Sequence, residues 1–318
     1  MHHTHNESPM RQRVILDVDT GVDDALAIML AVRSPELEVL GITTVNGNVS
    51  VERCTANTLL VLEILGASHI PVASGAAKPL VGPHLGAVEV HGGDGLGNMT
   101  ARYPAASGQA LPGAIEFLLG MIRRHPGELT LIASGPLTNL ALAIQKDRDA
   151  MQSLRGITIM GGAIRVPGNV GPATEYNFAV DPEAAAIVLG AGMPVRLVPL
   201  DVTEQVVLSR QTTDKAKGFG KLQMFIYEMT AATMAFHRNH EGFDGMFLHD
   251  PLAVGVVLDP SIVRERPMAL AIERRGELTS GMVVADLRRR SRGIPNASVC
   301  MEVEAARFLQ VFTQRVLC

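Results

Sequence analysis

Four carboxylates, Asp17, Asp19, Asp23 and Asp24, fall within eight residues directly after the apolar run Val14-Ile15-Leu16. Crowded at the end of a buried strand, they would repel one another and lose hydration. They persist only where a hard cation, basic groups or strong hydrogen-bond donors compensate them. Between residues 11 and 33 the basic residues are Arg11, Arg13 and, at the far end, Arg33. An oxygen-rich site for Ca²⁺ or Mg²⁺ is therefore the first chemistry that the chain suggests.

Further polar groups recur along the chain, each with a plainer reading beside the chemical one. Asp23 or Asp24 alone would suit a helix N-terminus, and Asn46-Gly47-Asn48 would suit a turn. Asp250 before Pro251 resembles a capping residue ahead of a helix, but His249 beside it adds a titratable group, and capping can coexist with metal ligation. The loop Val90-His91-Gly92-Gly93-Asp94-Gly95-Leu96-Gly97-Asn98 has no Lys-Ser/Thr after its glycines and no strand-to-helix context, so it reads as a flexible wall of a site and not as a phosphate cradle. The stretch from Gly168 to Phe178 concentrates Asn169, Glu175 and Asn177, a composition suited to gripping hydroxyl groups.

Positioning these groups requires a scaffold, and β-rich runs alternating with helical stretches supply one. Strands are expected near 13–18, 37–45, 69–73, 129–133, 156–160 and 194–200, with helices near 24–33, 50–65, 112–124, 136–146 and 181–190. Ser50, Pro112, Pro136 and Asp181-Pro182 mark several helix starts. The pattern predicts an α/β fold with an open, mostly parallel, Rossmann-like sheet flanked by helices. The segment 203–258 turns Met-rich and mostly helical, with a helical insertion near 203–250. Strands resume near 268–273, 281–286 and 297–303 before a terminal helix near 304–316. Every polar motif then follows a strand, and ligands of parallel sheets bind at those carboxyl ends. No linker or repeat divides 13–318, which reads as one domain behind a disordered polar head at 1–12.

Composition narrows the classes further. The 318 residues are 47% hydrophobic and carry a formal charge of −4, ample for a core and unlike a nucleic-acid footprint. Arg288-Arg289-Arg290 with Arg292 reads as a solvated loop. Cys54, Cys300 and Cys318 are odd in number and far apart, which favours free thiols and a reducing compartment. The head lacks the apolar core of a signal peptide and no run approaches the roughly 20 residues that cross a bilayer, so a cytoplasmic protein without membrane contact is expected.

Together, Asp17-Val18-Asp19-Thr20-Gly21-Val22-Asp23-Asp24-Ala25, Asn46-Gly47-Asn48, Gly135-Pro136-Leu137-Thr138-Asn139, the Asn169 to Asn177 loop with Asp181-Pro182-Glu183-Ala184-Ala185, and His249-Asp250-Pro251 resemble the inosine-uridine-preferring nucleoside hydrolase family over residues 13 to about 258. The resemblance implies a tightly held Ca²⁺ and hydrolysis of the N-glycosidic bond of ribonucleosides to ribose and free base. It also implies that Asp19, Asp24 and Asp250 are side-chain ligands, that the Ser134 carbonyl is a backbone ligand, and that Asp23, Asn48, Asn169, Glu175 and Asn177 hold the ribose. Homotetramers and homodimers both occur in the family, and either is expected here. Water beside such an ion is more acidic than bulk water, so Asp19 would take its proton and aim it at the anomeric carbon. His249 would protonate the leaving base, and His91 would line the base side.

Two other classes fit less well. A haloacid-dehalogenase-type phosphatase also begins with Asp-x-Asp, but Gly21 stands where it needs Thr or Val, and no Gly-Asp-x-x-x-Asp follows. A non-catalytic Ca²⁺- or nucleoside-binding module would not need His249 or the Asn169 to Asn177 loop, and an EF-hand would need glycine where Val22 stands. Base preference is weakly marked. The chain lacks the Trp on which purine-specialised members stack the base, and 224–243 offers Tyr227, Phe236, His237, His240 and Phe243, so pyrimidine or broad specificity is expected.

Overall fold

The strand β1 (Gln12–Val18) sends Val14, Leu16 and Val18 into one core cluster and Ile15 into another. Successive side chains of a strand point to opposite faces, so an apolar run with helices on both sides belongs at the centre of a parallel sheet. The computed structural model describes residues 11–288 and 293–318. The polar head through Met10 and the arginines at 289, 290 and 292 lie outside the described residues.

The strands that follow are β2 (Leu37–Thr44), β3 (Val72–Ser74), β4 (Leu111–Pro112), β5 (Leu129–Ala133), β6 (Gly156–Met160), β7 (Val195–Val198), β8 (Val207–Ser209), β9 (Gly245–Phe247), β10 (Val263–Met268), β11 (Leu270–Ile272), β12 (Val283–Ala285) and β13 (Ala297–Val303). Nine of them form one sheet in the order β10-β13-β7-β6-β5-β1-β2-β3-β4. All neighbours in it run parallel except β10 against β13. Pro267 cannot donate to a ladder, and it lies in β10, an edge strand where such a gap is tolerated.

The helices are α1 (Val22–Val32), α2 (Val51–Ile64), α3 (Val88–His91), α4 (Ala114–Arg124), α5 (Thr138–Lys146), α6 (Arg148–Gln152), α7 (Tyr176–Val180), α8 (Pro182–Leu189), α9 (Leu200–Thr203), α10 (Arg210–Ala216), α11 (Lys221–His240), α12 (His249–Leu258) and α13 (Ala305–Phe312). Apolar residues of α1, α2, α11, α12 and α13 cover one face of the sheet, and those of α4, α5 and α8 cover the other. This is the expected α/β architecture. The segment 203–258 differs in one detail: β8 and β9 pair antiparallel between its helices. Three-residue strands are too short to show alternation in a sequence.

Cys54 and Cys300 are buried free thiols and Cys318 is exposed. Among the described residues, no helix is long and apolar enough to cross a membrane.

Candidate active site

The chain leaves β1 toward β2 and β3 on one side, then returns to place β5, β6 and β7 on the other. That reversal opens a crevice beyond the carboxyl ends of β1 and β5, where open α/β sheets bind ligands. Asp19, Asp23 and Asp24 lie just past β1, Asn48 past β2, Ser134 past β5, and the loop to Asn177 past β6. Packing of α12 against α1 brings Asp250 to the same place.

Asp23 and Asp24 lie in the first turn of α1 and Asp250 in the first turn of α12, with Leu248 in the capping position. Asp250 is therefore not a cap. Asp23, Asp24 and Asp250 each offer an oxygen within 4.8 Å of the others. Asp24 is held by hydrogen bonds from the Gly21 backbone N–H at 3.0 Å, Ser134 Oγ at 2.8 Å and Asn48 Nδ2 at 3.2 Å. Asp23 Oδ1 is buried without a hydrogen-bond partner. Asp19 stands beside the three, its Oδ2 accepting the Asn48 backbone N–H at 2.8 Å. Burial pushes Asp23 up to about 6, and burial together with the Asp23 charge does the same to Asp24. Burial and the charge of Asp24 raise Asp19 well above the carboxylate range, as burial and Asp23 do for Asp250. No Lys or Arg lines the cavity among the described residues. A hard divalent cation fits this all-oxygen, uncompensated donor set.

The surrounding cavity measures about 440 Å³. Glu175 is buried on its wall and accepts backbone N–H groups of Gly162 and Asn177, both at 2.8 Å. Burial nevertheless pushes its carboxyl up to about 7. Asn177 Nδ2 donates to the Ser134 carbonyl at 2.7 Å, which ties that candidate ligand to the sugar-side loop. Asn169 is exposed at the rim, where its Oδ1 accepts the Tyr176 backbone N–H at 2.9 Å. His91 Nδ1 accepts the Val22 backbone N–H at 3.1 Å, which puts the ring proton on Nε2. Burial lowers its pKa to about 4. A Cβ at Gly21 would approach Asn48 Nδ2 to 2.7 Å and His91 Nδ1 to 2.8 Å, so glycine there admits both side chains. The expected flexible wall after His91 is instead tied down, because the Asp94 carboxylate accepts the backbone N–H groups of Leu96, Asn98 and Thr100.

His249 Nδ1 bonds to Thr203 Oγ1 at 2.7 Å, and burial lowers its pKa to about 3. From His249 a row of rings leads along the cavity, with centroids 5.4 Å apart to Phe247 and 5.3 Å from Phe247 to His237. Phe247, Thr203, Glu204, Glu241 and the Tyr176 ring carry no local signature of function. The first two are found through their contacts with His249, the others by their place around the cavity.

Fold and site together define an α/β protein with a cavity beyond the strand ends that gathers carboxylates and amides around a donor set suited to a divalent cation. The model of the inosine-uridine preferring nucleoside hydrolase family matches residues 14–310. The chain belongs to that family, whose members are N-glycosyl hydrolases of ribonucleosides. It is 37% identical over 276 residues to probable uridine nucleosidase 1 of Oryza sativa subsp. japonica, covering 86% of this chain and 85% of that one. It is 35% identical over 305 residues to the pyrimidine-specific ribonucleoside hydrolase RihA of Citrobacter koseri, covering 95% and 97%. Among solved structures, the purine-preferring ribonucleoside hydrolase from Gardnerella vaginalis superposes with a TM-score of 0.90 at 32% identity, over 96% of this chain and 98% of the other. Relatives named for pyrimidines and for purines thus resemble it to similar degrees.

Proposed function

We propose that this enzyme is a Ca²⁺-dependent ribonucleoside hydrolase of pyrimidine or broad base specificity. The observation that carries this reading is the convergence of Asp23, Asp24 and Asp250, from helices far apart in sequence, with Asp23 and Asp250 lining one cavity that also presents Asn48, Glu175 and Asn177. Asp24 and Asp250, with Asp19 and the Ser134 carbonyl, would hold a Ca²⁺ that anchors the sugar diol and makes a neighbouring water more acidic. Asp19 then accepts the proton of the attacking water. The unpartnered Oδ1 of Asp23 takes a ribose hydroxyl, as do Asn48, Asn169, Glu175 and Asn177. Their oxygens stabilise the positive charge that develops on the ring as the base departs.

Burial keeps His249 neutral, so, with Nδ1 held by Thr203, it assists the departing base by a hydrogen bond in place of the proton expected from it, while His91 lines the base side. Truncating His249 removes an interaction made mainly in the transition state, so His249→Ala lowers kcat at least about a hundredfold while KM moves only severalfold. An unchanged kcat would remove His249 from that role.

The reading as a whole is tested by reducing-sugar release from a panel of purine and pyrimidine ribonucleosides. Turnover with Ca²⁺, its loss to a chelator and its return on adding Ca²⁺ are expected. Nucleoside binding without turnover in fully metal-loaded protein would overturn it.

A further inference from the structure

Resting on the reading above, we propose that Thr203 is the positioning residue of His249: its hydroxyl donates to Nδ1 and so keeps the ring proton on Nε2, the nitrogen turned toward the departing base.

Thr203 is fully buried, and the anchoring of α9 sets its place. The Leu200 backbone N–H donates to the Gly162 carbonyl at 2.9 Å, and the Asp201 carboxylate accepts the backbone N–H groups of Ile164 and Arg165 at 2.8 and 2.9 Å. The Thr203 backbone N–H closes on the Pro199 carbonyl at 3.2 Å. This pins the short helix to the loop that leads on to Asn169 and Glu175. Just beyond α9, the Val206 carbonyl accepts the Leu248 backbone N–H at 2.9 Å, which holds the start of α12 beside it. Thr203 Oγ1 and His249 Nδ1 meet across that junction at 2.7 Å.

The direction of that bond follows from what else the hydroxyl can reach. A threonine in a helix commonly donates to the carbonyl three or four residues back, as Thr55, Thr58 and Thr230 do toward Val51, Cys54 and Ile226. Thr203 Oγ1 makes no such bond; among the described residues its one partner is His249 Nδ1. A buried O–H pointing anywhere else would be left without an acceptor. It therefore donates, Nδ1 accepts, and the single proton of a neutral ring sits on Nε2. With Nδ1 taken by the protein, Nε2 is the nitrogen left for the cavity that His249 lines.

A neighbouring histidine shows that the partner, and not the ring, decides. His237 Nδ1 lies 3.0 Å from the Thr233 carbonyl, which can only accept, so there the proton is on Nδ1 and Nε2 is bare. With a partner of that kind His249 would turn a lone pair toward the departing base and could give it no hydrogen bond. A hydroxyl can serve either way, and its burial without a second acceptor is what fixes the arrangement at His249.

Thr203→Val keeps the shape of the side chain and removes the donor, whereas Thr203→Ser retains it. Proton–nitrogen correlation spectra of the imidazole rings, with the His249 signals identified by their loss in His249→Ala, read the tautomer without any turnover. The native chain and Thr203→Ser should carry the proton on Nε2, and Thr203→Val should share it with Nδ1 or move it there. In the Ca²⁺-loaded full chain Thr203→Val should lower kcat for natural ribonucleosides about tenfold, with KM changed less than about twofold and kcat recovered in Thr203→Ser. Turnover of para-nitrophenyl riboside, whose leaving group departs as a stable anion and needs no hydrogen bond from His249, should stay within about twofold of native in Thr203→Val. A structural role alone would lower both substrates alike. In the His249→Ala background Thr203→Val should add no further loss. A proton on Nδ1 in the native chain overturns the proposal, and so does an Nε2 proton undisturbed by Thr203→Val, an unchanged kcat in that variant or an equal loss on both substrates. Should no riboside be cleaved, the hydrolase reading fails separately, and the spectra still decide whether Thr203 sets the tautomer.

Discussion

Asp19 occupies its position because Gly47 has no side chain. A Cβ on Gly47 would overlap the Asp19 carboxylate, and Gly135 closes on the same group from the other side, 2.9 Å from Oδ1 to its would-be Cβ. Gly47 does not adopt a left-handed conformation, so alanine is acceptable to the backbone and the conflict is purely with Asp19. Gly47→Ala should therefore displace the proposed proton acceptor and break its bond from the Asn48 N–H. Misplacement on the order of 1 Å at a reacting group costs roughly a hundredfold, which is the expected loss in kcat/KM for nucleoside hydrolysis. Overpacking should cost stability only about 1–3 kcal/mol, leaving a folded protein by circular dichroism. Gly120→Ala in α4 is the matched control, because a Cβ there meets nothing within 4 Å. It should keep full activity and gain up to about 1 kcal/mol from helix propensity. Equal losses in the two variants would mean that the Gly47 effect is not specific to Asp19.

At the scale of elements, the strand ends are tied to one another beneath the site by buried polar groups. Asp17 pairs with Thr43 of β2 and Ala133 of β5, and its Oδ1 accepts from Asn139 Nδ2 of α5 at 2.7 Å. Asn139 also donates to the Thr44 carbonyl at 3.0 Å and accepts the Ala76 N–H at 2.9 Å. Asn139→Ala strips a donor from a buried carboxylate and a partner from two backbone groups, so urea unfolding should show a loss of about 2–4 kcal/mol. A loss within about 0.5 kcal/mol would mean that water replaces Asn139 at no cost. Asn139 was legible in the sequence only as part of the Gly135 to Asn139 motif. The central strands were legible because burial on both faces leaves long apolar runs, and the start of α1 because acidic residues favour a helix N-terminus. The places of Glu204, Glu241 and Phe247 around the cavity were not, because they arise from the meeting of α9, α11 and β9, elements without a shared local pattern. Asp23, expected among the sugar-binding groups, lies with Asp24 and Asp250, a proximity set by the packing of α1 on α12 and not by spacing.

For the whole molecule, the proposed cation site predicts a stability that depends jointly on cation and pH. In the metal-free state Asp23 and Asp24 hold their protons up to about pH 6, against an ordinary value of 3.8. Between those values the folded chain binds more protons than the unfolded one, so raising the pH through this window costs folding free energy. The proposed Ca²⁺ would reverse the sign by favouring the ionised carboxylates, and their protonation at low pH would compete with the ion. Surface carboxylates lowered by ion pairs, such as Glu36 beside Arg315, titrate in both states and cancel in the difference. The quantity to measure is thus the Ca²⁺-induced rise in Tm at two pH values. At about a hundredfold excess over Kd it should be about 5 °C at pH near 7 and close to zero at pH near 4. A rise that is equal at both pH values would place the ion away from these aspartates. No rise at either would mean that the four acids are compensated within the protein itself.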